Sequence, residues 1–304
     1  MSVLLLLPVL AGMAALVVTG AVRRSPPSRE HAVAAARAHA RLGSAAAVVL
    51  GGAAALWVGT ARLEGATGAG DLGVTALLVP IAFGVVHTAV LGVAELTWPR
   101  PEGAVRRARL ARRGLLDPVP RWLVRTAAVA AVAAVVTLAG GALLAGPDGR
   151  SLVLEGPSYS ATASPFAGPV YGRPTALGLL LLAALTIGAL WVVANRPAVV
   201  TADDRIEAAL RRASAHRVLR GAVAVTLVVA GGLLAVSGLT ARSAAMGVAE
   251  TAEANGLPVV TAATVLPWAG GALGLAGLAA LLAAAVVLCV RAPGVPADAP
   301  AVPA

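Results

Sequence analysis

The side chains able to do chemistry are few, and their spacing decides which chemistry is open to them. His87 lies inside a long apolar run, with Thr88 beside it and Glu95 eight residues further on. An ionisable residue in such a run marks a functional site by default, because burying it costs free energy that something must offset. A proton relay or a polar midplane site would use such groups. Eight residues of helix rise about 12 Å, so His87 and Glu95 cannot touch directly. Gly84, Thr88 and Gly92 recur every four residues, the small-residue stripe of a tightly packed helix interface. A neutral His87 hydrogen-bonded to a neighbouring helix is therefore preferred over the relay. No second acid or histidine sits deep in another apolar run to complete one.

Other candidates are weaker. Asp203-Asp204-Arg205-Ile206-Glu207 has the D-D-x-x-E form seen where paired carboxylates hold magnesium and a diphosphate. That chemistry needs a second acidic cluster facing the first, and none exists; helix capping accounts for these acids. Ser158, Ser160 and Ser164 have no G-x-S-x-G context. There is no H-E-x-x-H and no P-loop. The one cysteine, Cys289, excludes an internal disulfide and a cysteine-based metal site. The expectation is no catalytic residue, no metal and no cofactor.

Two groups suggest contact rather than catalysis. Arg106, Arg107, Arg109, Arg112 and Arg113 form a dense basic run. Anionic lipid headgroups suit it better than nucleic acid, each arginine near the membrane surface contributing about 1 kcal/mol. Tyr159, Phe166 and Tyr171 lie in one loop, Pro147–Pro174, and include both tyrosines of the chain. A loop this long is usually functional, and its aromatic residues are candidates for binding.

The elements that position these residues follow from composition. Of 304 residues 59% are hydrophobic and only 12% charged, which excludes an ordinary soluble domain and a disordered one. Seven segments are long and apolar enough to cross a bilayer: Val3–Val22, Gly43–Thr60, Gly73–Ala94, Trp122–Leu144, Ala176–Ala194, Gly221–Gly238 and Trp268–Val290. An uncharged start before the first places the N-terminus outside and the C-terminus inside. Of the 24 arginines, 20 then fall on inner segments, leaving Arg62, Arg150, Arg173 and Arg242 outside. The net charge of +10 thus records orientation more than a nucleic-acid partner. Trp98, Trp122 and Trp191 fall at inner interfaces, and Trp57 and Trp268 at outer ones.

The expected fold is an all-α transmembrane seven-helix bundle, residues 1–292, with a disordered tail at 293–304. Gly-Gly pairs at 51, 140 and 231 are spaced by 89 and 91 residues, which suggests three parallel two-helix repeats after the first helix. Ser28–Arg41 and Thr201–Arg217 read as short interfacial helices capped by Ser28 and Thr201, with an i,i+4 pair at Glu207 and Arg211. Asp71 reads as the cap of its span, and Gly270, Gly274 and Gly277 predict close packing of the last helix. His31, His39 and His216 read as solvated or interfacial.

The stretches Tyr159–Gly172 (YSATASPFAGPVYG) and Arg205–Arg220 (RIEAALRRASAHRVLR) resemble multi-pass membrane proteins of high-GC bacteria, a family without a known activity. The resemblance implies an integral membrane protein and no more. The functional expectation is a non-enzymatic accessory, sensory or scaffolding protein of a bacterial plasma membrane, in contact with anionic lipid on its inner face and able to form homo- or hetero-oligomers. The alternative is a small-solute or proton-coupled transporter using His87.

Overall fold

The computed structural model describes residues 31–64, 69–98, 114–156, 158–198 and 204–295. The expected first span, the arginine run at 106–113 and the tail from 296 lie outside these residues, as do the Ser28 and Thr201 caps. Six helices are described: α1 His31–Glu64, α2 Ala69–Leu96, α3 Arg121–Leu144, α4 Pro169–Asn195, α5 Asp204–Ala254 and α6 Thr261–Cys289. All six are long and apolar enough to cross a membrane, which makes the chain a polytopic membrane protein. Each contains or closely matches one of the six expected spans from Gly43 onward.

Helix α5 organises the bundle. Its 51 residues extend about 77 Å at 1.5 Å per residue, far more than a hydrocarbon core of about 30 Å. The interfacial helix expected at 201–217 is thus one continuous helix with its span, and the Ser28–Arg41 segment likewise runs on from His31 to Glu64. Buried residues occur all round α5, from Ile206 to Ala252. Its two overhanging ends each carry a small core: Ile206 and Leu210 pack with Val33, Ala36 and Trp98, while Ala241, Ala244, Ala245 and Val248 pack with Leu152, Leu154 and Phe166.

Helices α5 and α6 make the closest pair. A Cβ added at Gly238 would lie 2.6 Å from the Gly270 carbonyl oxygen, and one at Gly231 would lie 2.8 Å from that of Gly277. Only glycine permits that backbone approach, so the predicted packing role of Gly270 and Gly277 holds. Helices α1 and α2 also pack as a hairpin, but α3 leans mainly on α5 and α4 on α2. The three expected hairpins therefore pack differently from one another.

The loop expected to end at Pro174 ends at Gly168. Pro169 starts α4, where a proline's missing N–H costs nothing, and Pro174 lies inside the helix. Within the loop, Leu152–Glu155 and Ser160–Ala163 pair as an antiparallel hairpin, Leu152 facing Ala163 and Glu155 facing Ser160. Asp71 is in the first turn of α2, which begins at Ala69.

Candidate functional site

His87 is buried, but not in a polar chamber. Its ring stacks on Phe83 of the same helix with centroids 5.4 Å apart and 19° between planes. Its other side lies on Gly221 of α5, where an added Cβ would come within 2.8 Å of Cε1 and 3.0 Å of Nδ1. Phe83 in turn approaches Gly51 of α1, at 3.1 Å from an added Cβ. Two glycines on different helices thus hold two stacked rings of α2 between them. The expected hydrogen bond is absent at Nδ1, which has no partner. Thr88, wholly buried, also leaves its hydroxyl unpartnered. Gly84 closes on Val225 of α5 and Gly92 on Ala189 of α4, as the small-residue stripe predicts.

Glu95 belongs to a different group. It lies at the arginine-rich end, where α2, α4 and α6 finish. A helix C-terminus leaves carbonyl oxygens without intrahelical partners and carries partial negative charge, so it attracts cationic donors. Each of the three ends receives a side chain from a neighbouring helix. His39 of α1 places Nε2 2.8 Å from the Ala94 carbonyl at the end of α2. Arg211 of α5 donates to the Ala194 and Arg196 carbonyls at the end of α4, both at 2.7 Å. Arg220 of α5 donates to the Val290 carbonyl at the end of α6, at 2.8 Å. Arg211 also donates to Glu207 at 2.7 Å, so the i,i+4 pair read from the sequence orients the side chain that caps α4.

Beside these caps sits a buried ion pair. Arg196 approaches Glu95 at 3.4 Å, the side chains only 1% and 6% exposed. The guanidinium lies 3.7 Å from the centre of the Trp98 ring. Burial pushes the Arg196 guanidinium below its usual pKa, while the Glu95 carboxylate pulls it the other way. Trp98 is therefore not an interfacial anchor: it is buried under Arg196 and edge-on to His39 at 5.6 Å. Trp57, Trp191 and Trp268 are exposed on the bundle surface as a belt requires. His216, expected at a surface, is 1% exposed, with both ring nitrogens unpartnered and its ring 6.1 Å from Trp122.

At the opposite end the loop aromatics do structural work. Phe166 and Tyr171 are buried in packing, and the Tyr159 hydroxyl donates to the Pro258 carbonyl at 2.9 Å, tying the hairpin to the α5–α6 connection. Ser237 of α5 accepts from the Ala167 N–H at 2.9 Å, and Thr240 donates to the Pro165 carbonyl at 2.8 Å. Asp148 holds the turn, accepting from the Ser151 hydroxyl at 2.7 Å and from the Arg150 and Ser151 N–H groups. These hydrogen bonds, the Ser151 hydroxyl first, lower its pKa.

Among the described residues, two surface cavities are lined by side chains other than His87. One, of about 450 Å3, is bounded by Ala145, Pro147, Asp148, Pro169, Arg173 and Pro174; the other, of about 370 Å3, by Asp204, Arg205, Ala209, Arg212 and Gly294. Among the described residues no three His, Cys, Asp or Glu side chains gather as a metal site. Sequence reading missed Phe83, Trp98, Arg196 and His216 as members of polar or aromatic clusters. The partners of Trp98, Arg196 and His216 are remote in sequence, whereas Phe83 meets His87 one helical turn away. No protein-family model, curated protein or solved structure matches the chain.

Proposed function

We propose that this chain is a non-enzymatic accessory, sensory or scaffolding protein of a bacterial cell membrane, with its arginine-rich end inside. The carrying observation is the packing of His87 between Phe83 and Gly221. A transported ion or solute needs a wet, reversible site, and a ring held by two helices favours a fixed frame. The side-chain caps across three helix ends support the same reading, because they tie neighbouring helices to one another. The positive-inside rule supports the orientation.

Purified protein reconstituted in liposomes with an internal pH dye tests this. We expect proton entry equal to that of protein-free liposomes, unchanged by His87→Ala. Entry that exceeds the control and falls with His87→Ala would favour the second reading, a proton-coupled transporter, which draws on the unpartnered His87 Nδ1 and Thr88 hydroxyl. Cross-linking in native membranes then asks whether the chain has a stable neighbour.

A further inference from the structure

Among the described residues, the arginine-rich end contains buried hydrogen-bond donors without an acceptor. Among the described residues, Nε and both terminal nitrogens of Arg196 make no hydrogen bond, and this guanidinium approaches Glu95 at 3.4 Å. The Trp98 Nε1 beside it has no acceptor either. Arg217 of α5, half-buried and within electrostatic reach of Glu95 and Arg196, spends a nitrogen on the Ser214 hydroxyl at 3.0 Å. The nearby carbonyls of Ala194 and Arg196 accept from Arg211 and that of Ala94 from His39, and none accepts from Arg196 or Trp98. Among the described residues, the carboxylates beside these donors are Glu95 and Glu207, the latter already accepting from Arg211.

Buried donors without acceptors cost about 1–3 kcal/mol each, more when charged, so a partner is expected. Water fits poorly, because each molecule brings two further donors of its own. An oxyanion only accepts, and a phosphate group matches the planar fork of a guanidinium. Charge agrees: among the described residues Arg196, Arg211, Arg217 and Arg220 outnumber Glu95 and Glu207, a cationic excess that favours an anion. Position agrees as well, since the cluster lies level with the helix ends, the depth of lipid headgroups, and basic pockets between helices there take anionic heads.

We propose that Arg196, Arg217 and the Trp98 Nε1 form a binding site for one phosphate monoanion, either the phosphodiester of an anionic phospholipid or free phosphate. The site does not depend on the accessory role proposed above, and its test contains no transport measurement.

The full chain, purified in detergent and stripped of lipid, is melted with added phosphatidylglycerol, phosphatidylcholine or inorganic phosphate at constant ionic strength. Native mass spectrometry counts retained lipid. We expect phosphatidylglycerol to raise the melting temperature by several degrees and one molecule to stay bound, with phosphatidylcholine much weaker. An equal shift with inorganic phosphate identifies the free anion as the ligand. Arg217→Gln is half-exposed and spares the ion pair; it should lose most of the shift and the retained lipid. Glu95→Gln removes the competing acceptor and one negative charge, so it should tighten binding several-fold. Trp98→Phe keeps the ring under Arg196, loses the N–H, and should weaken binding. No shift with either phosphate source, or a full shift with one bound lipid in Arg217→Gln, overturns the proposal.

Discussion

Replacing Gly221 with alanine should act on the bundle through His87. The added methyl would lie 2.8 Å from Cε1 and 3.0 Å from Nδ1 of the imidazole. Ordinary carbon contacts are about 3.5–4.0 Å, so the ring must retreat by roughly 0.7 Å or more. Phe83 is stacked behind it and lies against Gly51, where an added Cβ would come within 3.1 Å. The displacement must therefore pass to the backbones of α1, α2 or α5. Overpacking of this kind costs about 1–3 kcal/mol. That is a rise of about 5- to 150-fold in the unfolded-to-folded ratio. Thermal or denaturant melts of detergent-solubilised protein measure it, with His87→Ala and the double variant completing a cycle. His87→Ala alone destabilises by leaving a cavity. In the double variant the new methyl enters the vacated space, so the combined loss should fall short of the sum of the single losses by more than about 0.5 kcal/mol. A Gly221→Ala protein as stable as wild type, or additive losses, would refute the stacked arrangement.

Three further outcomes follow from other contacts. Ser237→Ala should cost about 1–3 kcal/mol, because the Ala167 N–H is left buried without an acceptor, and a melt comparing it with Ser237→Thr reads the loss. Gly277→Val should separate α5 from α6, since even a Cβ would come within 2.6 Å of the Gly231 carbonyl; a cysteine-pair cross-link between those helices should weaken sharply. The Asp148 carboxyl titrates below its usual value, so its stabilisation of the turn is complete above the ordinary carboxylate pKa and disappears as pH falls through the lowered one. Proteolysis of the hairpin should accelerate over that acid window in wild type, and Asp148→Ala should cleave at the faster rate already at neutral pH.

The membrane spans were legible because each is a run of some 20 apolar residues, a signal that needs no partner to read. The Glu207–Arg211 pair was legible for the same reason, being one helical turn apart. Its purpose was not, since the carbonyls it caps, at Ala194 and Arg196, belong to another helix. Glu95 and Arg196 are a hundred residues apart, and nothing local to either announces the other. His87 stood out as an ionisable group in an apolar run, but its setting depends on Gly51 and Gly221. The Gly51-Gly52 pair suggested a repeat; Gly51 instead makes room for Phe83. His216 reads as interfacial because arginines surround it in sequence, and Trp98 because it follows the inner end of a span. They are buried because α5 extends well past its apolar stretch and the ends of α2 and α4 pack onto that extension. The short hairpin strands were hidden by length, four residues each carrying too little alternation to register.

His87 sits in a dry, packed environment, and Thr88 reports on it directly, being wholly buried one residue away. A Thr88→Cys variant in a Cys289→Ser background carries a single thiol of nearly the same size as the native side chain. In membranes, a water-soluble maleimide should leave that thiol unlabelled until the protein is denatured, while a control cysteine at exposed Arg150 labels fully. Rapid labelling of the folded Thr88→Cys protein would place water beside His87 and contradict the account.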